Sequence, residues 1–383
     1  MAPSHARRIQ GFDGIRAIAV FGVFLMHKTA IGEHYQLGQY GVWLFFLLSG
    51  FLIISQLATS RERVEAGSAS VGDELGGFWW RRSLRILPPY YLLLTIMTAL
   101  YLVWRRPIPG LAWHFAYLTN WYMEFKAPLG ELGTWGHFWS LAIEEQFYLL
   151  AAPLIILSPR RWTAWLCLAL ALAGVGRRLY MVESGWPSYA IYADSLVNVT
   201  ALGLGGFAAL AVRTRPLRSE ALGWASLTLF LSMPFLLRWL GWANDLSPLL
   251  ALATGLAVIL SVHGSQDGYL TRILSWRPLA YFGRISYGFY LYESYAPAQL
   301  GPRLLHHGGL VAELSGATCA FLISLVVSVA SFELLERPIQ QRGRGVANPP
   351  KPASAFVGAG VAAEIAPFPL ASDTPSRSLT TGP

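Results

Sequence analysis

The chain has 383 residues, of which 54% are hydrophobic and 13% are charged; this balance is typical of integral membrane proteins and argues against a soluble enzyme. The formal net charge is +8 at pH 7, but arginines concentrated in the connections between apolar segments argue against a nucleic-acid partner. Cys167 and Cys319 both lie within apolar segments, so they predict no disulfide framework.

Ten apolar segments are long enough to span a bilayer. They lie near residues 12–31, 40–58, 86–104, 138–157, 162–180, 195–212, 221–240, 246–262, 279–298 and 311–333. Segment 112–122 is apolar but short, which predicts an interfacial or re-entrant element. The sequence therefore predicts an all-α integral membrane protein, a bundle of about ten transmembrane helices.

The cationic residues of the connections are distributed unequally between the two sides of this bundle. Most of them fall on the side that holds both termini, so the positive-inside rule predicts cytoplasmic termini and a multi-pass protein of the plasma membrane. Residues 1–340 are assigned to one transmembrane domain. Residues 341–383 are rich in Pro, Ser, Ala and Gly, which predicts a disordered cytoplasmic tail.

The first segment, GFDGIRAIAVFGVFLMHKTAI, carries Arg16 and His27 inside its apolar run. A separation of eleven residues places both side chains on one helix face, about 16 Å apart along the axis. Ionisable groups at membrane depth are costly and usually mark a pathway or a reaction site. The alternative is an arginine anchored at the cytoplasmic end and a histidine bonded in a helix interface.

Carboxylates of two other segments are expected at the depth of His27. The predicted topology brings Glu144 and Glu145 of the fourth segment and Glu293 of the ninth to this layer. Glu144 and Glu145 point about 100° apart, so at most one of them faces His27 squarely. A carboxylate on one imidazole nitrogen leaves the other nitrogen as a base. A buried ion pair that only holds helices together is the alternative.

Two further groups suggest a route for an elongated ligand. Arg81, Arg82 and Arg85 are placed just before the third helix, where guanidinium groups can bind phosphate or act as a positive-inside signal. Ser49 and Gly50 lie near the middle of the second segment. They would let a thin chain pass close to the backbone, although tight helix packing also accounts for them.

These features, in this order, resemble acyltransferase family 3, the bacterial membrane O-acyltransferases of surface sugars and some glycosylated antibiotics. The matching stretches are FDGIRAIAV, FFLLSG, RRSLRILPP, FWSLAIEEQFYL, ISYGFYLYE and ELLERP. A histidine also follows the arginine of the first stretch after ten intervening residues. One position departs from the pattern, because many relatives have His where this chain has Glu293. The chain stops after its tenth predicted helix, so we expect no extra hydrolase-like domain.

The resemblance implies transfer of an acyl group, most simply acetyl, from acyl-CoA to a hydroxyl acceptor. It implies that His27 is the critical histidine, that Arg16 is its motif partner, and that the Arg81–Arg85 group contacts the donor. Combined with the polar layer described above, this predicts that His27 acts as general base and is oriented by Glu144 or Glu145. The pantetheine arm is expected to pass Ser49 and Gly50.

The acceptor is expected to be a sugar of a glycan or of a glycosylated metabolite. Trp121 and Trp135 offer flat faces for stacking on a sugar or belong to an interfacial belt, and Tyr290 and Glu293 are further expected substrate contacts. No metal site is predicted, and the oligomeric state is not determined. The rival function is a proton-coupled transporter that uses the same buried His and Glu as a relay.

Overall fold

The computed structural model of the chain describes residues 9–126, 129–241, 247–300 and 309–347. Within these ranges every regular element is a helix. They are α1 (Phe12–Lys28), α2 (Ala30–His34), α3 (Leu37–Glu65), α4 (Val71–Val103), α5 (Leu111–Phe115), α6 (Thr119–Phe125), α7 (Leu129–Leu132), a 3-10 turn (Gly133–Trp135), α8 (Phe138–Leu157), α9 (Arg160–Glu183), α10 (Ser188–Ala193), α11 (Ser195–Thr214), α12 (Glu220–Trp239), α13 (Ser247–Gly264), α14 (Tyr269–Leu274), α15 (Arg277–Arg284), α16 (Ser286–Glu293), α17 (Gly309–Ser331), a π-helical turn (Phe332–Glu336) and α18 (Arg337–Ala347).

Eight helices of the described part are long and apolar enough to cross a bilayer by length and composition. The prediction of an all-α membrane protein is therefore confirmed. Two predicted segments are not among the eight, because α1 has 17 residues and the ninth segment is divided at Ile285 into α15 and α16, with 8 residues each. The count of about ten spans and the side of the termini stay predictions.

Helix α3 is the centre of the bundle and contacts α1, α8, α11 and α13. Glycine makes its crossing with α11 possible: a Cβ at Gly50 would lie 2.0 Å from the carbonyl oxygen of Leu202, and one at Gly205 would lie 2.0 Å from that of Leu47. Such backbone approach is the usual use of small residues between membrane helices. Gly50 therefore serves helix packing, and the expected passage of a ligand arm beside it stays a prediction.

Helix α4 begins well before the segment that hydropathy predicts. Ser70 caps it, since its hydroxyl oxygen accepts a hydrogen bond from the backbone N–H of Asp73 at 3.0 Å, and two acidic residues in the first turn favour this start. Arg81, Arg82 and Arg85 consequently lie within a 33-residue helix and not just before one. A hydropathy window discounts such a charged helical stretch, which explains the error.

Helix α18 continues to Ala347, past residue 341, where the sequence places the start of the tail. The remainder of the predicted tail, residues 348–383, lies outside the described residues, and the predicted division into a transmembrane domain and a tail stays a prediction. The short apolar segment 112–122 forms α5 and the beginning of α6.

Candidate active site

His27 lies in the last turn of α1, and its partner is Glu293 at the end of α16. The imidazole Nδ1 is 2.5 Å from Glu293 Oε1, and the hydroxyl of Ser294 donates to the same oxygen at 3.0 Å. The Glu293 side chain is fully buried, whereas 32% of the His27 side chain remains accessible. Because a carboxylate can only accept, Nδ1 carries the hydrogen in this pair, and Nε2 of neutral His27 keeps a free lone pair.

Neither of the two glutamates expected to orient His27 does so. Glu144 Oε1 accepts a hydrogen bond from the Ser49 hydroxyl at 2.6 Å, and Glu145 Oε1 is buried with no hydrogen-bond partner among the described residues. The carboxylate that contacts His27 is that of Glu293, which the sequence places among the substrate contacts, and the catalytic roles of Glu144 and Glu145 stay predictions. The prediction groups three glutamates because they lie at one depth in the membrane. Depth does not determine in which direction around the helix axis each side chain points.

His27 opens into a cavity of about 330 Å³, which we call the His27 cavity. Its wall includes His27, Lys28, His137, Trp139, Tyr192 and Tyr290. Trp139 and Tyr192 pack against each other with ring centres 4.4 Å apart, so they offer aromatic surface in the same cavity as His27. Sequence reasoning missed both residues, because an aromatic residue within or beside an apolar span is not distinguishable from an ordinary core residue.

A second cavity of about 80 Å³, the arginine cavity, has a wall that includes Arg16, Ser49, Arg82, Arg85, Glu144 and Tyr148. Arg16 Nη1 donates to Asp13 Oδ1 at 2.9 Å, and the Arg82 guanidinium lies 5.3 Å from the centre of the Tyr148 ring. Within the described residues, Arg82 and Arg85 form no ion pair. The cavity therefore combines several cationic groups with one carboxylate.

Arg81 does not belong to the wall of the arginine cavity. It interacts electrostatically with Glu74 and Arg63 instead, and those two residues form an ion pair of 2.6 Å. One helical position separates Arg81 from Arg82, so their side chains diverge by about 100°. Arg81 therefore lies apart from the cavity that Arg82 and Arg85 share with Arg16, and its expected contact with the donor stays a prediction.

The two cavities meet at Tyr290 of α16 and Val42 of α3, which belong to both walls. The Tyr290 hydroxyl donates to the carbonyl oxygen of His137 at 2.8 Å and lies 2.6 Å from the Ser140 hydroxyl. Tyr290 and Glu293 are three residues apart in one helix and so lie on the same face. The site thus consists of two chambers whose walls share one aromatic ring and one valine.

The tryptophans expected to stack on a sugar lie elsewhere. Trp135 is 1% exposed and stacks on the His114 ring, with centres 5.4 Å apart, so it is a core residue in this structure and its stacking on a sugar stays a prediction. Burial lowers the pKa of His114 to about 4, which keeps this imidazole neutral in the core. Trp121 is 40% exposed and donates to the Ser195 hydroxyl at 3.2 Å, but it lies in neither cavity wall.

A separate acidic cluster joins α6, α9 and the start of α11. Arg177 donates to Asp194 Oδ2 at 2.9 Å and to Glu124 Oε1 at 3.2 Å. Burial raises the pKa of Glu124 to about 7, with the neighbouring Asp194 carboxylate adding to the shift and Arg177 opposing it. One arginine thus serves two carboxyl groups, and the folded state favours the protonated form of one of them.

We expect this cluster to make thermal stability depend on pH. Since the folded-state pKa of Glu124 lies above its ordinary value of 4.5, its stabilising contribution is complete below pH 4.5 and is lost as the pH rises through about 7. Glu124→Gln, which mimics the neutral form, should flatten the fall in melting temperature between pH 5 and pH 8. Glu183→Gln at the exposed end of α9 is the control. An unchanged pH profile in Glu124→Gln would contradict the assignment.

Among the described residues, no group of three or more His, Cys, Asp or Glu side chains is arranged to hold a metal ion. The walls of the two chambers include the His27 imidazole held by Glu293, several guanidinium groups and neighbouring hydroxyl groups. An imidazole beside a chamber with excess positive charge is suited to proton abstraction from a neutral group next to a polyanionic ligand.

Residues 9–333 match the family model of acyltransferase family 3, which is described as an acyltransferase domain. The chain is 26% identical over 365 residues to the putative peptidoglycan O-acetyltransferase YrhL of Bacillus subtilis (strain 168), covering 88% of this chain and 56% of the relative. It is 26% identical over 401 residues to the O-acetyltransferase OatA of Staphylococcus aureus (strain MRSA252), covering 91% and 60%.

A third relative is the peptidoglycan O-acetyltransferase OatA of Listeria monocytogenes serovar 1/2a (strain ATCC BAA-679 / EGD-e), 28% identical over 382 residues, with 88% of this chain and 56% of the relative covered. The chain therefore spans somewhat more than half the length of these curated relatives. No solved structure matches it.

Proposed function

The chain belongs to acyltransferase family 3, and from this premise we propose that it transfers a short acyl group, most simply acetyl, from acyl-CoA to a sugar hydroxyl in the cell membrane. The observation that carries the proposal is His27, held at Nδ1 by Glu293 in a chamber that adjoins an arginine-lined one. The names of the relatives, peptidoglycan O-acetyltransferases, favour a glycan acceptor over a glycosylated metabolite.

The arginine cavity is the proposed site of the donor. Its three arginines face a single glutamate within the wall, and this excess of guanidinium groups suits the phosphates of CoA, which guanidinium can bind through paired hydrogen bonds. With both termini in the cytoplasm, as the positive-inside rule predicts, this cavity lies on the cytoplasmic side of His27. The narrow pantetheine arm then has to reach toward the His27 cavity.

His27 is the proposed general base. Its Nε2 takes the proton of the acceptor hydroxyl as the oxygen attacks the thioester carbonyl carbon, and Glu293 stabilises the imidazolium that forms. When the carbon–sulfur bond breaks, His27 returns the proton to the thiolate, so the products are the acyl ester and free CoA. A proton that moves between two partners through one imidazole requires the fixed tautomer that Glu293 provides.

The acceptor is proposed to bind in the His27 cavity. The volume of about 330 Å³ is that of a small-ligand site, which suits one or two sugar rings of a longer glycan. Trp139 and Tyr192 supply apolar faces for a sugar ring, in the role that the sequence had suggested for Trp121 and Trp135. His27 belongs to the wall of this chamber and 32% of its side chain is accessible, which supports an approach of the acceptor hydroxyl to Nε2.

The experiment that tests this function measures donor consumption by the purified full chain in detergent. Acetyl-CoA labelled in the acetyl group is supplied with soluble peptidoglycan fragments or with a glycosylated metabolite, and both CoA thiol release and labelled ester are measured. Acceptor-dependent release of CoA with an equal amount of ester is expected. Proton-coupled uptake into vesicles without release of CoA would instead favour a transporter.

Arg82 and Arg85 give a prediction for the donor side. Replacing either by alanine should raise the KM for acetyl-CoA about 10- to 100-fold, because one charge-assisted hydrogen bond to phosphate is lost, while kcat changes little. The KM for S-acetylpantetheine, which lacks the nucleotide and its phosphates, should stay the same. Arg81→Ala is the matched control on the same helix, and an equal rise in KM there would contradict the assignment of the arginine cavity.

A further inference from the structure

We propose that Tyr290 is the movable partition between the donor and acceptor chambers, and that it determines whether the thioester is used for acyl transfer or wasted by hydrolysis. The inference rests on the proposed acyl transfer. It starts from an observation of shape: among the described residues that line the two cavities, only Tyr290 and Val42 belong to both walls.

The ring of Tyr290 lies at this boundary, and hydrogen bonds to a neighbouring helix hold it there. It is 6% exposed, and its hydroxyl group is bonded to the His137 carbonyl at 2.8 Å and to the Ser140 hydroxyl at 2.6 Å. Both partners belong to the start of α8, whereas the ring itself is carried by α16. Two hydrogen bonds between different helices therefore keep the partition in its closed position.

The reaction requires this partition to open. The attacked carbon must come to about 3–3.5 Å from the hydroxyl oxygen that His27 activates, but the arginines and His27 line different chambers. The donor arm must therefore cross at Tyr290 and Val42. Val42 has a short, branched side chain that is stiff at χ1. Tyr290 can clear the passage by rotating its ring once the two hydrogen bonds to α8 are broken.

A closed partition also protects the donor. His27 activates water by the same chemistry as a sugar hydroxyl: a water oxygen bonds to the acyl carbon, the carbon–sulfur bond breaks, and His27 passes the proton of water to sulfur. Acetate and CoA would result. The Tyr290 ring moves aside only for the donor arm and then packs along that arm. It thereby excludes this water, as closed active sites do.

The test measures CoA thiol release from acetyl-CoA in the absence of any acceptor, with the full chain in detergent and water labelled with oxygen-18. Tyr290→Ala should raise the release of CoA and of labelled acetate about tenfold above the wild type, because water reaches the thioester through the opened passage. Tyr290→Phe retains the ring but loses both hydrogen bonds, and should give a smaller rise of about two- to threefold. Adding His27→Ala to Tyr290→Ala should abolish the hydrolysis.

Tyr90→Phe is the matched control. Tyr90 is fully buried and lines neither chamber, and its hydroxyl donates to a backbone carbonyl, that of His114, at 2.7 Å. The Tyr90→Phe variant should release CoA in the absence of acceptor at the same rate as the wild type. The partition is refuted if both Tyr290 variants hydrolyse acetyl-CoA at the wild-type rate while His27→Ala abolishes transfer. Transfer that survives His27→Ala would instead refute the proposed function, so the two failures are distinguishable.

Discussion

Replacing His27 by alanine is expected to lower acceptor-dependent release of CoA by about 10³-fold, within the range that a positioned general base contributes. The hydroxyl of a sugar is a weak nucleophile unless its proton is removed as it attacks, and no other imidazole in the described part is bonded to a carboxylate. His27→Gln keeps much of the volume and polarity and should be equally inactive, since an amide is not a base.

The control for this loss is His34→Ala, at the end of α2. His34 lies outside both cavity walls and accepts a hydrogen bond from Arg238 at 3.0 Å, so its removal should leave the rate within about twofold of the wild type. Melting temperatures of all variants show whether each has folded. Activity of a folded His27→Ala protein within threefold of the wild type would refute a role for His27 as base.

Glu293→Gln is expected to lower kcat about 10²-fold with little change in the KM for acetyl-CoA. The amide has the shape of the carboxylate but lacks the charge that stabilises the imidazolium, and its NH₂ group can bond Nδ1 and reverse the tautomer of His27, as removal of the carboxylate does in other base–carboxylate pairs. Glu293 is fully buried beside His27, so the isosteric change is preferred to alanine.

Glu144→Gln is the comparison that separates the two glutamates. Glu144 bonds Ser49 in the wall of the arginine cavity, and an amide can still accept that hydrogen bond, so its effect on kcat should remain under about tenfold. The effects of each substitution on kcat and on the KM for acetyl-CoA are measured by steady-state kinetics with acetyl-CoA as the variable substrate. A loss of kcat in Glu144→Gln as large as in Glu293→Gln would return Glu144 to the role of orienting residue.

The pairing of His27 with Glu293 shows how far the sequence leads and where it stops. The topology placed Glu144, Glu145 and Glu293 at one depth, because depth follows from counting residues along helices of known rise. The side that each glutamate faces depends on the rotation of its helix about its own axis. Neighbouring helices set that rotation by packing, and for α16 the break at Ile285 sets it as well.

Trp135 and Gly50 illustrate the same limit for aromatic and small residues. A tryptophan in an outer connection can belong to an interfacial aromatic belt, stack on a sugar or lie in the protein core. The stacking of Trp135 on His114 shows that this tryptophan lies in the core. A glycine in an apolar helix permits close approach of either a ligand or another backbone. A Cβ at Gly50 would lie 2.0 Å from the carbonyl oxygen of Leu202. The backbone of another helix therefore makes the close approach at this glycine.

Three conclusions follow from the sequence alone: this is a helical membrane protein, Arg16 and His27 lie on one face of its first helix, and the ordered motifs are those of acyltransferase family 3. These follow from local properties: a bilayer requires apolar helices of about 20 residues, and helical geometry is regular. The tertiary structure adds that Glu293 contacts His27, that Arg82 and Arg85 but not Arg81 line one cavity with Arg16, and that Tyr290 belongs to the walls of both cavities. Each of these depends on contacts between helices distant in sequence, which no local pattern records.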